Sequence, residues 1–107
     1  MLEDIVLLET KLANPKKQVF VLKFPVGEFD MVVFDPEAGY YRIFEIKHSE
    51  EAVPQQYRHL IDEQKCAQTE HRYGPITGKF VLYRGESQVV EGIQYQNVEE
   101  YLNALTS

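Results

Sequence analysis

Between Gly27 and Ser49 the chain reads GEFDMVVFDPEAGYYRIFEIKHS, two apolar runs either side of the turn-forming segment Asp35-Pro36-Glu37-Ala38-Gly39. Val32, Val33, Phe34, Tyr40, Tyr41, Ile43, Phe44 and Ile46 are apolar on both parities, the pattern of strands covered on both faces. Such a hairpin has to lie inside a sheet with a layer on each side, which constrains the fold more than any other stretch. Glu28, Asp30, Glu45 and Lys47 interrupt it, and ionised groups in that setting are costly unless they pair or hold a cation. Glu45 and Lys47 are two residues apart and share a face, as do Glu28 and Asp30. A loop of Pro36 to Gly39 sets Asp35 opposite Tyr40. Continued, that register sets Asp30 opposite Glu45 and Glu28 opposite Lys47, with opposed Cβ atoms about 5 Å apart. Three acids and one base then converge, leaving negative charge that calls for a cation; the plain alternative is an ion-pair network in which Lys47 neutralises Glu28 or Glu45.

The rest of the chain supplies the layers. Leu2, Ile5, Val6, Glu9 and Leu12 follow the spacing of one helical face, and Asn14-Pro15 ends that helix. Glu9 is then either at the edge of the apolar stripe or directed at a polar site beneath the helix. Gln18 to Phe24 reads as a first strand with Phe20, Leu22 and Phe24 on one face. A helix is expected from about Pro54 to Tyr73, with Val53, Tyr57, Leu60, Ile61 and Ala67 buried and Gly74-Pro75 as its stop. Lys79 to Tyr83 is a further strand, and Val89 to Tyr95 a short edge strand with Gly92 as a bulge or turn. Asn97, with Glu100 three residues on, has the spacing of a capped last helix. Three strands in a meander, a crossover helix and another strand imply an α/β fold with a mixed sheet flanked by helices.

A chain of 107 residues suits one domain spanning 1–107, and its charge and hydrophobic content are those of a globular protein. The single cysteine, Cys66, excludes an internal disulfide and reads as a packing or surface residue. No apolar run approaches the roughly 20 residues of a membrane span, and MLEDIVLLE is not a positively charged leader, so the cytoplasm is the expected compartment. A net charge of −6 argues against holding nucleic acid by phosphate neutralisation alone, though not against a protein that brings cations to it. His48 alternates away from Glu45 and Lys47, and His59 and His71, expected on the second helix, lack the partners of a zinc set.

An Asp on one strand, Glu-x-Lys on the next and a helix after them resembles the PD-(D/E)xK phosphodiesterase superfamily, with its restriction-endonuclease-like αβββαβ core. The matching residues are Asp30, Glu45 and Lys47, in DMVVFD and FEIKHS. The resemblance implies a Mg²⁺- or Mn²⁺-dependent nuclease. Asp30, Glu45 and the carbonyl of Ile46 would hold the cation, Glu9 would add a carboxylate from the first helix, and Lys47 would orient the attacking water and stabilise developing charge. A narrower resemblance covers nearly the whole chain. Leu2-Glu3, Val6, Glu28-Phe29-Asp30-Met31 and Glu45-Ile46-Lys47-His48-Ser49 look like the C-terminal domain of unknown function of prokaryotic AAA-type ATPases, with Met31 in place of the usual aromatic. It implies a C-terminal fragment or stand-alone relative of such an ATPase, with DNA and the parent ATPase domain as partners. The sequence itself contains no GxxxxGK[ST] phosphate loop. The other function it implies is a non-catalytic regulatory or DNA-binding module.

Overall fold

The hairpin forms where its turn chemistry places it. In a computed structural model that describes residues 2–25, 27–52, 55 and 57–105, strands β2 (Glu28–Asp35) and β3 (Tyr40–Ile46) are antiparallel, with Asp35 opposite Tyr40 as the register requires. Asp35 Oδ1 accepts the N–H groups of Glu37 and Ala38, and Gly39, at φ 77°, turns the chain back. Strand β1 (Gln18–Lys23) pairs antiparallel with β2 on its other side. After a crossover, β4 (Ile76–Tyr83) lies parallel to β3.

The edge strand expected at residues 89–95 is two strands. Strands β5 (Gln88–Val90) and β6 (Ile93–Asn97) form a hairpin about Glu91 and Gly92, both at positive φ, the two-residue turn that matches strand twist. The later strand pairs parallel with β4, so the mixed six-stranded sheet runs β1-β2-β3-β4-β6-β5.

Helices cover both faces. Helices α1 (Leu2–Ala13) and α3 (Val98–Leu105) lie over the face carrying Met31, Val33, Phe44, Ile46, Phe80 and Leu82. Helix α2 (Glu63–Tyr73) and the turn before it cover the face carrying Val32, Tyr41, Ile43, Val81 and Tyr95. Asn97 caps α3 as its spacing promised, accepting from the N–H groups of Glu99 and Glu100.

Two helices depart from expectation. The stripe α1 buries is Val6 and Thr10, with Leu2 and Leu7 half-buried, while Ile5 and Leu12 are 50% and 67% exposed. The helix is rotated because Thr10 is buried as a satisfied polar group, its hydroxyl 2.8 Å from that of Tyr101 on α3. Helix α2 begins at Glu63, not Pro54, because Asp62 caps it by accepting from the N–H of Lys65. Tyr57 and Leu60 are buried from the preceding turn as expected for core residues, but Ile61 and Ala67 are exposed. Val53, Pro54 and Gln56 lie outside the described residues. Among the described residues no helix is long and apolar enough to cross a membrane.

Candidate metal centre

Asp30 reaches the end of β3 because β2 carries one extra residue there. Leu22 pairs with Phe29 and Phe20 with Val32, so Asp30 and Met31 together stand opposite Val21. A bulge of this kind re-aims a side chain. Met31 still pairs with Phe44 at the end of the β2–β3 ladder. Asp30 does not continue that ladder; its Oδ2 accepts the N–H of Ile46 at 2.9 Å. In an antiparallel strand the N–H and C=O of one residue leave on the same side, so the Ile46 carbonyl also projects toward Asp30. The N–H of Lys47 goes the other way, donating to the Leu82 carbonyl at 2.8 Å.

Glu45 occupies the same face of β3 as Tyr41 and Ile43, yet at 2% exposure it is as buried as they are. Its Oε2 lies 3.7 Å from Lys47 Nζ, while its Oε1 has no hydrogen-bond partner. Lys47 is 38% exposed, so the pair grades from a buried carboxyl to a cation at the surface. Burial, reinforced by the adjacent Asp30 carboxylate, pushes Glu45 up to about 9 against the pull of Lys47, with Glu28 adding further negative charge. At neutral pH the carboxyl is therefore protonated, and a divalent cation between it and Asp30 would displace that proton.

An unpartnered buried carboxyl oxygen is expensive, and groups of this kind call for a stated role. Here the Asp30 carboxylate lies close enough to Glu45 to raise its pKa, and the Ile46 carbonyl leaves its strand on the Asp30 side. That set of hard oxygens fits Mg²⁺ or Mn²⁺, since Mg²⁺ in particular takes one or two carboxylates and completes its shell with water or substrate phosphate. Among the described residues no group of three or more His, Cys, Asp and Glu side chains is arranged to hold a metal ion. A cation held here would therefore have two carboxylates and the carbonyl of Ile46 as its protein ligands.

Glu9 does not belong to the set. It lines a surface hollow with Leu12, Ala13 and Leu105, on the flank of α1 set by the Thr10 rotation. The acid that α1 does bring to the end of β3 is Glu3, whose Oε1 is 3.8 Å from Nε2 of His48 on the opposite face of the sheet from Glu45. Glu28 pairs with Lys23 in the β1–β2 ladder and is not set opposite Lys47 in the β2–β3 ladder.

Sequence reasoning missed His59. It lies in the turn before α2, and a Cβ on Gly27 would fall 2.4 Å from its ring. Only glycine, here at φ 83°, admits that approach. Burial lowers the pKa of His59, and the nearby cations of Lys65, Arg58 and Lys47 lower it further. No periodicity in the sequence signals this contact; the Gly27 beside the acidic strand was its only trace. Cys66 is buried, its Sγ donating to the Leu60 carbonyl at 3.2 Å, a packing role. Comparison with models of known families, with curated proteins and with solved structures finds no match.

Proposed function

We propose that this chain is a Mg²⁺- or Mn²⁺-dependent phosphodiesterase of the restriction-endonuclease-like kind, acting on nucleic acid as the accessory module of an AAA-type ATPase. The observation that carries the reading is the buried, unpartnered Oε1 of Glu45 beside Asp30, with Lys47 at the rim. The element order, with β1 to β3 antiparallel and β4 parallel to β3, supports the fold assignment. Bound there, the cation would supply charge neutralisation at the scissile phosphate and a more acidic water. Asp30 and Glu45 hold it, the Asp30 carboxylate being fixed by the Ile46 N–H. Lys47, 38% exposed at the rim, would orient the water and stabilise charge developing on phosphate oxygen. The link to an ATPase rests on the Leu2-Glu3, Glu28-Phe29-Asp30 and Glu45-Ile46-Lys47 blocks of the sequence.

One observation favours a second reading. Among the described residues only two carboxylates converge, and Lys47 already sits 3.7 Å from Glu45, an arrangement that suits a regulatory or DNA-binding module that keeps the fold without turnover. Cleavage of single-stranded, duplex and branched DNA in Mn²⁺ separates the two. A catalytic site gives cutting that Lys47→Ala reduces at least about a hundredfold with Mn²⁺ binding retained; no cutting by the wild type favours the module, and equal cutting by Lys47→Ala would remove Lys47 from the chemistry.

A further inference from the structure

Helix α2 carries three parallel stripes. Cys66, Thr69 and Tyr73 face the core; Glu63 and Glu70 lie on one flank; Lys65, Gln68 and Arg72 lie on the other. The basic flank faces the end of β1, where two adjoining hollows of about 150 and 200 Å³ share Phe24, Pro25 and Gln68 as walls. Lys23 and Arg72 border the first hollow and Lys65 the second. In a chain of net charge −6, this concentration of cations on one flank is a local inversion of sign.

The geometry points to this groove as a binding track for single-stranded nucleic acid, leading along α2 toward the Asp30–Glu45 pair. It rests on the nucleic-acid reading above and assigns the path the strand takes. Helix α2, 11 residues long, gives a track of about 16 Å. Lys23 and Arg72 make no ion pair among the described residues, which leaves their charges to be met by phosphates, Arg72 lying 5.2 Å from the ring centre of Tyr73. Lys65 Nζ is shared, 3.2 Å from Asp62 and 5.7 Å from the ring centre of Phe24. Phe24, half-buried on the wall the two hollows share, puts aromatic surface beside the cations, the pairing of stacking and charge that suits unpaired bases. At the inner end, Asp62 donates its N–H to the carbonyl of His59, whose ring lies over Gly27, one residue before the acidic strand. The groove and Glu45 are on the same face of the sheet, so a strand in the groove is directed toward Lys47 without crossing the sheet edge.

The test is fluorescence anisotropy of a labelled oligothymidylate with the whole chain in EDTA, so that no turnover is needed. The wild type is expected to bind, and to bind the single strand more tightly than a duplex of matching length. Replacing Lys23→Ala and Arg72→Ala together should weaken binding at least about tenfold and flatten the salt dependence by about 1.4 in log–log slope. Glu63→Gln, on the other flank, should change it less than about twofold. No binding by the wild type, tighter duplex binding, or an equal effect of Glu63→Gln would overturn the track. Mn²⁺ titration of the same proteins in EDTA-free buffer keeps the outcomes apart, since a failed groove with Mn²⁺ still bound leaves the metal centre standing, and the reverse holds too.

Discussion

Glu45 is the residue on which local energetics and chemistry meet. Its carboxyl, pushed up to about 9 from an ordinary 4.5, binds a proton in the folded state that the unfolded chain has lost. Stability from this group is therefore fully present below about pH 4.5 and is lost as the pH rises through 9. Glu45→Gln removes that dependence, and at pH 8 without divalent cation it should raise Tm by roughly 5–10 °C, about 1–2 kcal/mol, with little change at pH 5. Thermal melts followed by circular dichroism check this, and a lower Tm at pH 8 would contradict it. The same residue was legible in the sequence, because a charge inside an apolar strand of both parities demands a reason. Glu9 was misplaced for a converse cause: a stripe drawn from apolar residues alone cannot include Thr10, whose hydroxyl is buried against that of Tyr101.

At the scale of elements, short-range chemistry read correctly at the hairpin turn and at the last helix. The Asp35–Tyr40 register and the Asn97 cap both follow from residues within a few positions of each other. Asn97→Ala should cost about 1 kcal/mol by freeing the first turn of α3, seen as a Tm lower by roughly 4–8 °C; an unchanged Tm would mean that packing of Val98 and Tyr101 alone holds the helix. The bulge at Asp30–Met31 was not legible, because it exists only in the pairing of β2 with β1. It is also what makes the site. A regular β2 would put Asp30 in the ladder opposite Glu45, and the bulge instead turns its carboxylate onto the Ile46 N–H, beside the carbonyl of that residue. The start of α2 was misjudged by nine residues, from Pro54 to Glu63, since the turn at residues 57–62 buries Tyr57 and Leu60 without being helical.

Over the whole molecule, a six-stranded mixed sheet brings charges from both strands together at the open end of the hairpin and sets a basic groove on its α2 face. The net charge of −6, read alone, counted against nucleic acid; the segregation of acids and bases along α2 is information the total does not contain. All of it depends on Asp30 and Glu45 forming one cation site. The most direct measurement is calorimetric titration of Mn²⁺ into the protein at pH 7 in two buffers of different ionisation enthalpy. The expected result is one Mn²⁺ per chain, about one proton released per ion as Glu45 gives up its own, and loss of binding in Asp30→Ala. Binding that survives Asp30→Ala, or the absence of binding at millimolar Mn²⁺, would contradict it.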